Sequence, residues 1–591
     1  MTVDRRPAVG PWLLLLLGVF ALEFFVFDQF GSRRHTGVYP KWNDQVQYLS
    51  DGYTAWEHAR THGFLRSLGQ TLINPSAQGT LHDTAALLIF QLAGSPSRSA
   101  ALALNLLALI AWQLALFLAV QRIAQRPSLA FAAALLPLAL AGPWENIPGS
   151  AYDFRLDHFA MCTLGVAGAV ALLTDGFRSR AWSVLFGLAV ALTLLLRFLT
   201  GTYFILIFAG LLAWILARLF REARNSRPEG ADFVGANRDK VARPSGRRKF
   251  RILFRLIHEI SGLSGPDRRA RSANLAWAAG VAFVLTAPFF WINRATIYEY
   301  YWIGHYLGPE SAIRNQNFGV GRSLAFITQA LAERHLGWFF GVVALLGAVG
   351  LAGGRGRRAV LGARATAVVG LIWLIAPAIV LLLHQQKSDV VVSAMAPGAV
   401  LLVIALWLRV ARAPREGRPI AAFAINGVLC GLVLAFFVQR QLRPADDPTT
   451  FAHIRQVNTI ADTLFARIQA AGLERPAIGV DHITDCLDAR VLRVLCYERN
   501  RAWLPLEGTL PISIAEPDGR DVMARLERSH FVFLTESGPE GLYPYDRKMA
   551  ALRPELRAWC EAHLVLIQRF DLLDRRVALY QRREIALLPN R

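Results

Sequence analysis

Charge is scarce in this chain. Asp, Glu, Lys and Arg make up 18% of its 591 residues, against about 25% in ordinary soluble proteins, while hydrophobic residues reach 54%. That balance excludes a row of soluble domains, which length alone would permit. Cysteine is rare too, at five residues, and no metal-binding cysteine spacing occurs. The C-terminal stretch 440–591 has no glycine-rich phosphate loop of the dinucleotide or nucleotide kind. No internal repeat relates one half to the other, which argues against a transporter or channel built from related halves.

The apolar residues are present instead as runs of about 18–22, the length that crosses a hydrocarbon core of about 30 Å. They recur from Val9 to Gln439. We expect eleven spans, near Val9–Phe30, Ser99–Val120, Ser128–Ile147, His158–Thr174, Ala181–Leu199, Gly201–Ala217, Ala273–Ile292, Leu336–Leu351, Thr366–Leu383, Val390–Leu408 and Ile420–Val438. Residues 1–439 thus read as a polytopic α-helical membrane domain. The first run is long and followed by others, so it is not a cleaved leader.

The charge that remains is one-sided, with a formal net of +21. In a soluble protein this would suggest nucleic acid. Here Asp4, Arg5 and Arg6 place the N-terminus inside, and the inner segments then carry about +20 of the +21. Basic residues are retained on the cytoplasmic face, so the excess is a topology signal and nucleic acid is not expected as a partner. The basic cytoplasmic loop 218–272 holds Arg247, Arg248, Lys249, Arg251 and Arg255, and its Phe250–Ile260 run could rest on anionic membrane lipids.

Eleven crossings put 440–591 outside. This tail opens with a helical pattern, Phe451–Gly472. Short β-like runs follow at Ala477–Val480, Val491–Tyr497, Phe531–Thr535, Leu564–Gln568 and Val577–Tyr580, with helices at Arg520–Arg528 and Met549–His563 between them. The alternation suggests an extracytoplasmic α/β domain, which we read as a lid or an acceptor-docking module. An oxidising compartment would permit a Cys486–Cys496 disulfide, with Cys560 left over.

Polar residues gather on the outward loops. The first loop, 31–98, carries Asn43-Asp44-Gln45-Val46-Gln47-Tyr48-Leu49-Ser50-Asp51; in a helix Asp44, Tyr48 and Asp51 share one face, and a carboxylate at the rim of a low-dielectric site suits a general base. Plain helix capping by Asn43 or Asp44 is the alternative. Trp42, Tyr53 and Trp56 suit the headgroup layer. In the second loop Tyr152-Asp153-Phe154-Arg155-Leu156-Asp157-His158 offers two carboxylates at i, i+4. Basic residues are few on this side, so Arg197 and Lys387, the latter in His384-Gln385-Gln386-Lys387-Ser388-Asp389, are candidates to hold an anion, or else snorkel at helix ends. The fourth loop adds Tyr301 and His305, a candidate aromatic and polar contact pair, or else part of an interfacial aromatic belt and a polar surface histidine.

An acidic residue shortly before a tyrosine in a long first outward loop resembles the GT-C superfamily of membrane glycosyltransferases. The likeness is greatest to the protein O-mannosyltransferases and the aminoarabinose or undecaprenyl-linked sugar transferases of bacteria. It covers roughly Pro11 to Phe220 and His384–Pro397. The resemblance implies an inverting glycosyltransferase of the bacterial inner membrane, with a polyprenyl-phosphate-linked sugar as donor and a glycan, lipid or protein as acceptor. It makes Asp44 the catalytic base. It gives Tyr48, Asp153, Arg155, Asp157, Arg197, Tyr301, His305, His384 and Lys387 places in substrate binding. A divalent cation (Mg or Mn) at Asp153 and Asp157 would fit the family, although Asp44 is followed by Gln45 where many relatives carry a second acid. A lipid-linked oligosaccharide ligase or polymerase, or a non-catalytic transporter, is the alternative class.

Overall fold

The structure is a computed structural model that describes residues 9–36, 43–145, 148–225, 266–307, 319–352, 362–384, 388–411, 419–443, 448–481, 487–510, 519–538, 544–572 and 575–586. Among them, eight helices are long and apolar enough to cross a membrane: Gly10–Thr36, Arg98–Ala124, Leu156–Leu173, Leu199–Arg218, Arg269–Ile292, Gly319–Leu351, Ala363–Leu383 and Asp389–Val410. The chain is a multi-pass membrane protein. The other three expected spans are shorter apolar helices, Pro127–Ala139, Arg180–Leu196 and Gly427–Leu442. The first of these stops early for a local reason. Pro137 has no N–H to continue an α-helix, and the chain passes through 3-10 turns at Leu136–Ala139 and Gly142–Trp144 instead.

The spans pack through small residues set against large rings. A Cβ on Gly165 would lie 2.4 Å from the Trp112 ring, and one on Gly347 equally close to Trp407. Both sites exclude any side chain. The indoles also close hydrogen bonds between helices: Trp373 Nε1 donates to Leu164 O at 2.9 Å and Trp407 Nε1 to Ala344 O at 3.0 Å.

Loops assigned by charge to opposite sides lie at opposite ends of this bundle. At one end Phe198 N donates to Gln78 O (2.6 Å), Ser76 N to Asn293 Oδ1 (2.7 Å), and Tyr152 Oη to Gln441 Oε1 (2.9 Å). His335 Nε2 meets Asp389 O at 2.7 Å. At the other end Asn274 Nδ2 bonds Phe177 O (2.9 Å), and Arg180 covers the Trp277 ring at 4.8 Å.

The polar helix of the first loop, α1 (Asn43–His62), and a second helix, α2 (Leu81–Ala93), lie at the former end. They precede the span α3 (Leu156–Leu173). Tyr53 and Trp56 are buried in the core and do not face a headgroup layer. Their neighbours on α2 explain it: Phe90 meets the Tyr53 ring edge-on at 5.5 Å.

The C-terminal region is an α/β unit whose five strands are β1 (Ala477–Val480), β2 (Glu507–Gly508), β3 (Phe531–Ser537), β4 (Leu564–Leu572) and β5 (Arg575–Arg582), in the order β2-β1-β3-β5-β4. β1 runs parallel to β2 and β3, while β5 is antiparallel to β3 and β4. Phe531, Phe533, Val577 and Leu579 face one core; Val532, Leu534, Ala578 and Tyr580 face another. Helices thus cover both sides of the sheet, which the period-2 alternation requires. The expected strand Val491–Tyr497 is instead part of a helix, α4 (Ala489–Asn500). Its buried Val491, Leu492, Val494, Leu495 and Cys496 fit the helical period. The Asp488 carboxylate caps it by accepting from Val491 N at 2.8 Å, an end signal that outweighs the β-branched content. Cys496 and Cys560 are buried free thiols; Cys486, the other half of the expected pairing, lies outside the described residues.

Candidate active site

Three loops and two helix ends converge on Arg155. Its Nη2 lies 2.6 Å from Asp44 Oδ2, and its Nε lies 3.6 Å from Asp157 Oδ2 and 3.8 Å from Asp153 Oδ2. The last two are ion-pair separations, too long for hydrogen bonds. Asp157, in the first turn of α3, is also paired with Arg197, which follows the end of Arg180–Leu196. A carboxylate there is stabilised by the helix N-terminus. Burial works against the Arg155 charge, yet Asp157, Asp44 and Asp153 more than offset it and raise the guanidinium above its ordinary value.

The supporting loop is fixed from two directions. Asn105 Nδ2 donates to Ala151 O (3.2 Å) and Asp153 O (2.9 Å). Gln45, which stands where a second acid was a family expectation, donates from Nε2 to Tyr152 O at 3.2 Å. Asp153 sits before α3 and not on it, so the i, i+4 helical face expected with Asp157 does not form; the backbone turn brings both carboxylates to Arg155. Asp153 Oδ2 accepts from Gly149 N at 2.6 Å. Burial pushes this carboxyl well above its usual range, against the pull of Arg155 and Gly149 N–H.

Asp44 is 54% exposed, whereas Asp157 is 4% exposed. The Tyr48 phenol lies one turn along α1 from Asp44. Burial, then the Asp44 charge, raise its titration well above the ordinary value, so it remains a hydroxyl. The edge of Tyr48 meets the His82 ring at 5.2 Å, and His82 packs on Phe154 at 4.3 Å. Burial drives His82 down to about 3 although Asp157 pulls it up; it is a neutral ring. Tyr301 Oη donates to Gln78 Oε1 at 2.8 Å, with its ring 4.8 Å from Phe198.

Asp44, Tyr48, Asp153, Arg155, Asp157, Arg197 and Tyr301 are therefore brought together. His384 follows the helix Ala363–Leu383 and is half-buried. The His305 side chain and Lys387 lie outside the described residues. Sequence reasoning missed His82, Asn105 and Tyr203. Asn105 carries a signal in hindsight, a polar residue inside an apolar span. A narrow cleft beside Asp157 and Arg197 runs down among Met161, Leu164, Tyr203 and Val391. At about 10 Å³ it holds at most one water, so any acyl chain entering it must part its walls.

The two carboxylates expected to hold a divalent cation are largely taken up by other groups: the Asp157 oxygens face Arg197 and Arg155 and Asp153 Oδ2 accepts from Gly149 N, while Asp153 Oδ1 is buried without a hydrogen-bond partner among the described residues. Among the described residues no group of three or more His, Cys, Asp or Glu is arranged to hold a metal. What the cluster offers is anion binding: Arg155 Nε and Arg197 Nε are buried without a hydrogen-bond partner among the described residues.

The overall fold is matched in a solved structure. ArnT from Cupriavidus metallidurans, crystallised with undecaprenyl phosphate, superposes with a TM-score of 0.55 over 98% of this chain and 99% of its own, at 14% identity. The chain has the GT-C fold. Looser similarities are seen to apo ArnT from the same organism (TM-score 0.36, 13% identity, 96% and 98% covered). Another is to the archaeal oligosaccharyltransferase AglB from Archaeoglobus fulgidus, in complex with an inhibitory peptide and a dolichol-phosphate (0.42, 10%, 93% and 72%). No protein-family model matches the chain, and no curated protein matches it by sequence. At these identities the likeness is one of fold. In a GT-C fold, the Arg155 cluster stands at one end of the bundle, where the first two loops of the helical domain meet.

Proposed function

We propose that this chain is an inverting glycosyltransferase that moves a sugar from a polyprenyl-phosphate donor to an extracytoplasmic acceptor: an envelope glycan, a lipid or a protein. The observation that carries the proposal is the pair of buried guanidinium Nε groups on Arg155 and Arg197, neither making a hydrogen bond among the described residues, beside a half-exposed carboxylate. They supply what the chemistry needs, a cationic hold on a leaving phosphate next to a base that an incoming hydroxyl can reach. That ArnT of the same fold was crystallised with undecaprenyl phosphate supports a donor of that class.

In this reaction the acceptor oxygen forms a bond to the anomeric carbon from the face opposite the phosphate. The carbon–oxygen bond to phosphate breaks, and its electron pair leaves with the phosphate. Asp44 takes the acceptor hydroxyl proton. Arg197 and Arg155 hold the growing phosphate charge, an interaction strengthened by the low dielectric at the membrane edge. The donor's tail enters beside Met161, Leu164 and Tyr203, parting the walls of the narrow cleft there. Lys387 is a further cation for the phosphate. The site end faces outward from a bacterial inner membrane, with the N-terminus cytoplasmic and 440–591 periplasmic.

Asp44→Asn keeps the size of the side chain and removes the base. Transfer by the purified variant falls by about 10²–10⁴-fold, the range for a general base, measured with polyprenyl-phosphate sugar and extracted envelope lipids or glycans. Wild-type turnover in that variant would remove Asp44 from the reaction.

A further inference from the structure

The helix that bears Asp44 has little reason to be rigid by itself. α1 reads NDQVQYLSDGYTAWEHARTH, mostly polar, with Gly52 in its interior, a residue costing about 1 kcal/mol in a helix. Such a segment takes its order from tertiary contacts. The site uses one face of it, Asp44 and Tyr48. The opposite stripe, Val46, Ser50 and Tyr53, falls at i, i+4 and i+7, and with Gln47 it meets the C-terminal helix α4.

The contact there is built from both cores at once. Val46 of α1 is buried in the hydrophobic core of the C-terminal domain, while Val494 and Tyr497 of α4 are buried in that of the membrane bundle. The Tyr53 and Tyr497 rings meet edge-on at 5.6 Å. Around this exchange lie polar links. Tyr53 Oη donates to Glu498 Oε1 at 2.6 Å, and the other Glu498 oxygen is 2.8 Å from Arg98 Nη2 at the start of the span Arg98–Ala124. Arg493 Nη1 donates to Ser50 Oγ at 3.0 Å while its Nη2 bonds Leu506 O at 2.5 Å. Arg490 Nη1 reaches Gln47 Oε1 at 3.2 Å. Ser50 and Tyr53 are fully buried, so the bonds they make are shielded from water and from salt, whereas the Arg490–Gln47 bond is exposed.

We propose that the C-terminal domain is a fixed clamp on the Asp44 helix, with Glu498 and Arg493 as positioning residues, and not the moving lid that its place in the sequence suggests. Glu498 ties α1 to the first turn of a membrane span, and Arg493 ties it to β2's neighbouring loop. The domain therefore sets the height and rotation of Asp44 against Arg155 through its hold on α1. A lid would need this face to part in each turnover, exposing Val46, Val494 and Tyr497 together. This inference rests on the function proposed above for Asp44.

The test uses the full-length protein in nanodiscs. In Glu498→Gln, amide hydrogen exchange across residues 43–62 speeds up at least about ten-fold. The rate kcat falls about ten-fold while KM for donor and acceptor stays within about two-fold. The charge swap Arg98→Glu with Glu498→Arg recovers most of both losses, which a general loss of stability would not do. Separately, Gln47→Cys with Arg490→Cys, joined by a short reducible cross-linker, keeps at least half of its uncross-linked turnover. Unchanged exchange in Glu498→Gln, or turnover abolished by the cross-link and restored by reduction, would overturn the clamp. If exchange responds as expected but Asp44→Asn still transfers sugar, the anchoring of α1 stands and the proposed function fails.

Discussion

Asp44 and Asp51 lie two turns apart on α1 and meet opposite electrostatic surroundings. Asp44 has the Arg155 guanidinium at 2.6 Å, with Arg197 beyond it on Asp157. Asp51 lines a second cavity of about 130 Å³ with His58, Ser67, Thr71, Asn74 and Asp83. No guanidinium lines that cavity; Arg490 and Arg493 act on Asp51 from the C-terminal domain. Burial lifts Asp51 to about 6 despite them. It lifts Asp83 to about 8, with the Asp51 charge adding to the effect. One stretch of helix thus shows both ways of bringing a carboxylate near a membrane, by supplying a cation or by keeping a proton. The function proposed above draws only on the first.

The largest way to break that contrast is to remove the cation where it is most buried. Arg197→Met leaves Asp157, 4% exposed, without its closest partner. Breaking a buried pair by one member costs about 3–5 kcal/mol, and thermal unfolding in nanodiscs should show it. Adding Asp157→Leu should recover much of the loss in stability but none in transfer, because an apolar pair needs no counter-charge and binds no phosphate. A double variant as unstable as the single would mean that Arg197 acts through packing.

A smaller effect of opposite sign is expected at the second cavity. Asp83 titrates near 3.8 in an unfolded chain and at about 8 when folded. Below about pH 4 both states hold the proton and the stability is complete. As pH rises toward 8 the unfolded chain releases its proton while the folded one keeps it, so stability declines through that window and levels off above it. Asp83→Asn should flatten the decline between pH 5 and 8.5, raising Tm at the alkaline end and changing little at the acid end. A Tm difference independent of pH would show that the Asp83 carboxyl does not hold its proton on folding.

What could be read from sequence was what local spacing encodes. The apolar runs located all eight long apolar helices among the described residues and three more that are shorter than expected; a hydrophobic period placed the tail helix at Phe451–Gly472, against the observed Pro448–Ala470, and found four of the five strands. Asp44 with Tyr48, and Arg155 with Asp157, stood out as short polar groups between apolar runs, and Arg197 because basic residues are scarce there. The misses depend on chain folding at long range. Nothing around Asp153 signals that a turn held by Asn105, 48 residues earlier, replaces the first turn of a helix. Val491–Tyr497 is β-branched enough to read as a strand, and only the Asp488 cap gives it away. The meeting of Tyr53 with Glu498 spans 445 residues, beyond any periodicity. Pro137 was legible, but a proline inside an apolar run can kink a helix as readily as end it.

The smallest expected effect falls on the same residue as the largest catalytic one. Asp44 is half-exposed, and an ion pair at such a position contributes about 0–1 kcal/mol to folding. Asp44→Asn should therefore unfold within that margin of the wild type, while Arg197→Met falls well outside it. The comparison tests why Asp44 is placed at the rim: a carboxylate held there costs the fold little to keep charged and remains open to an incoming hydroxyl. If Asp44→Asn were as destabilising as Arg197→Met, Asp44 would belong with Asp157 as part of the structural ion-pair network, and its exposure would not be available for proton transfer.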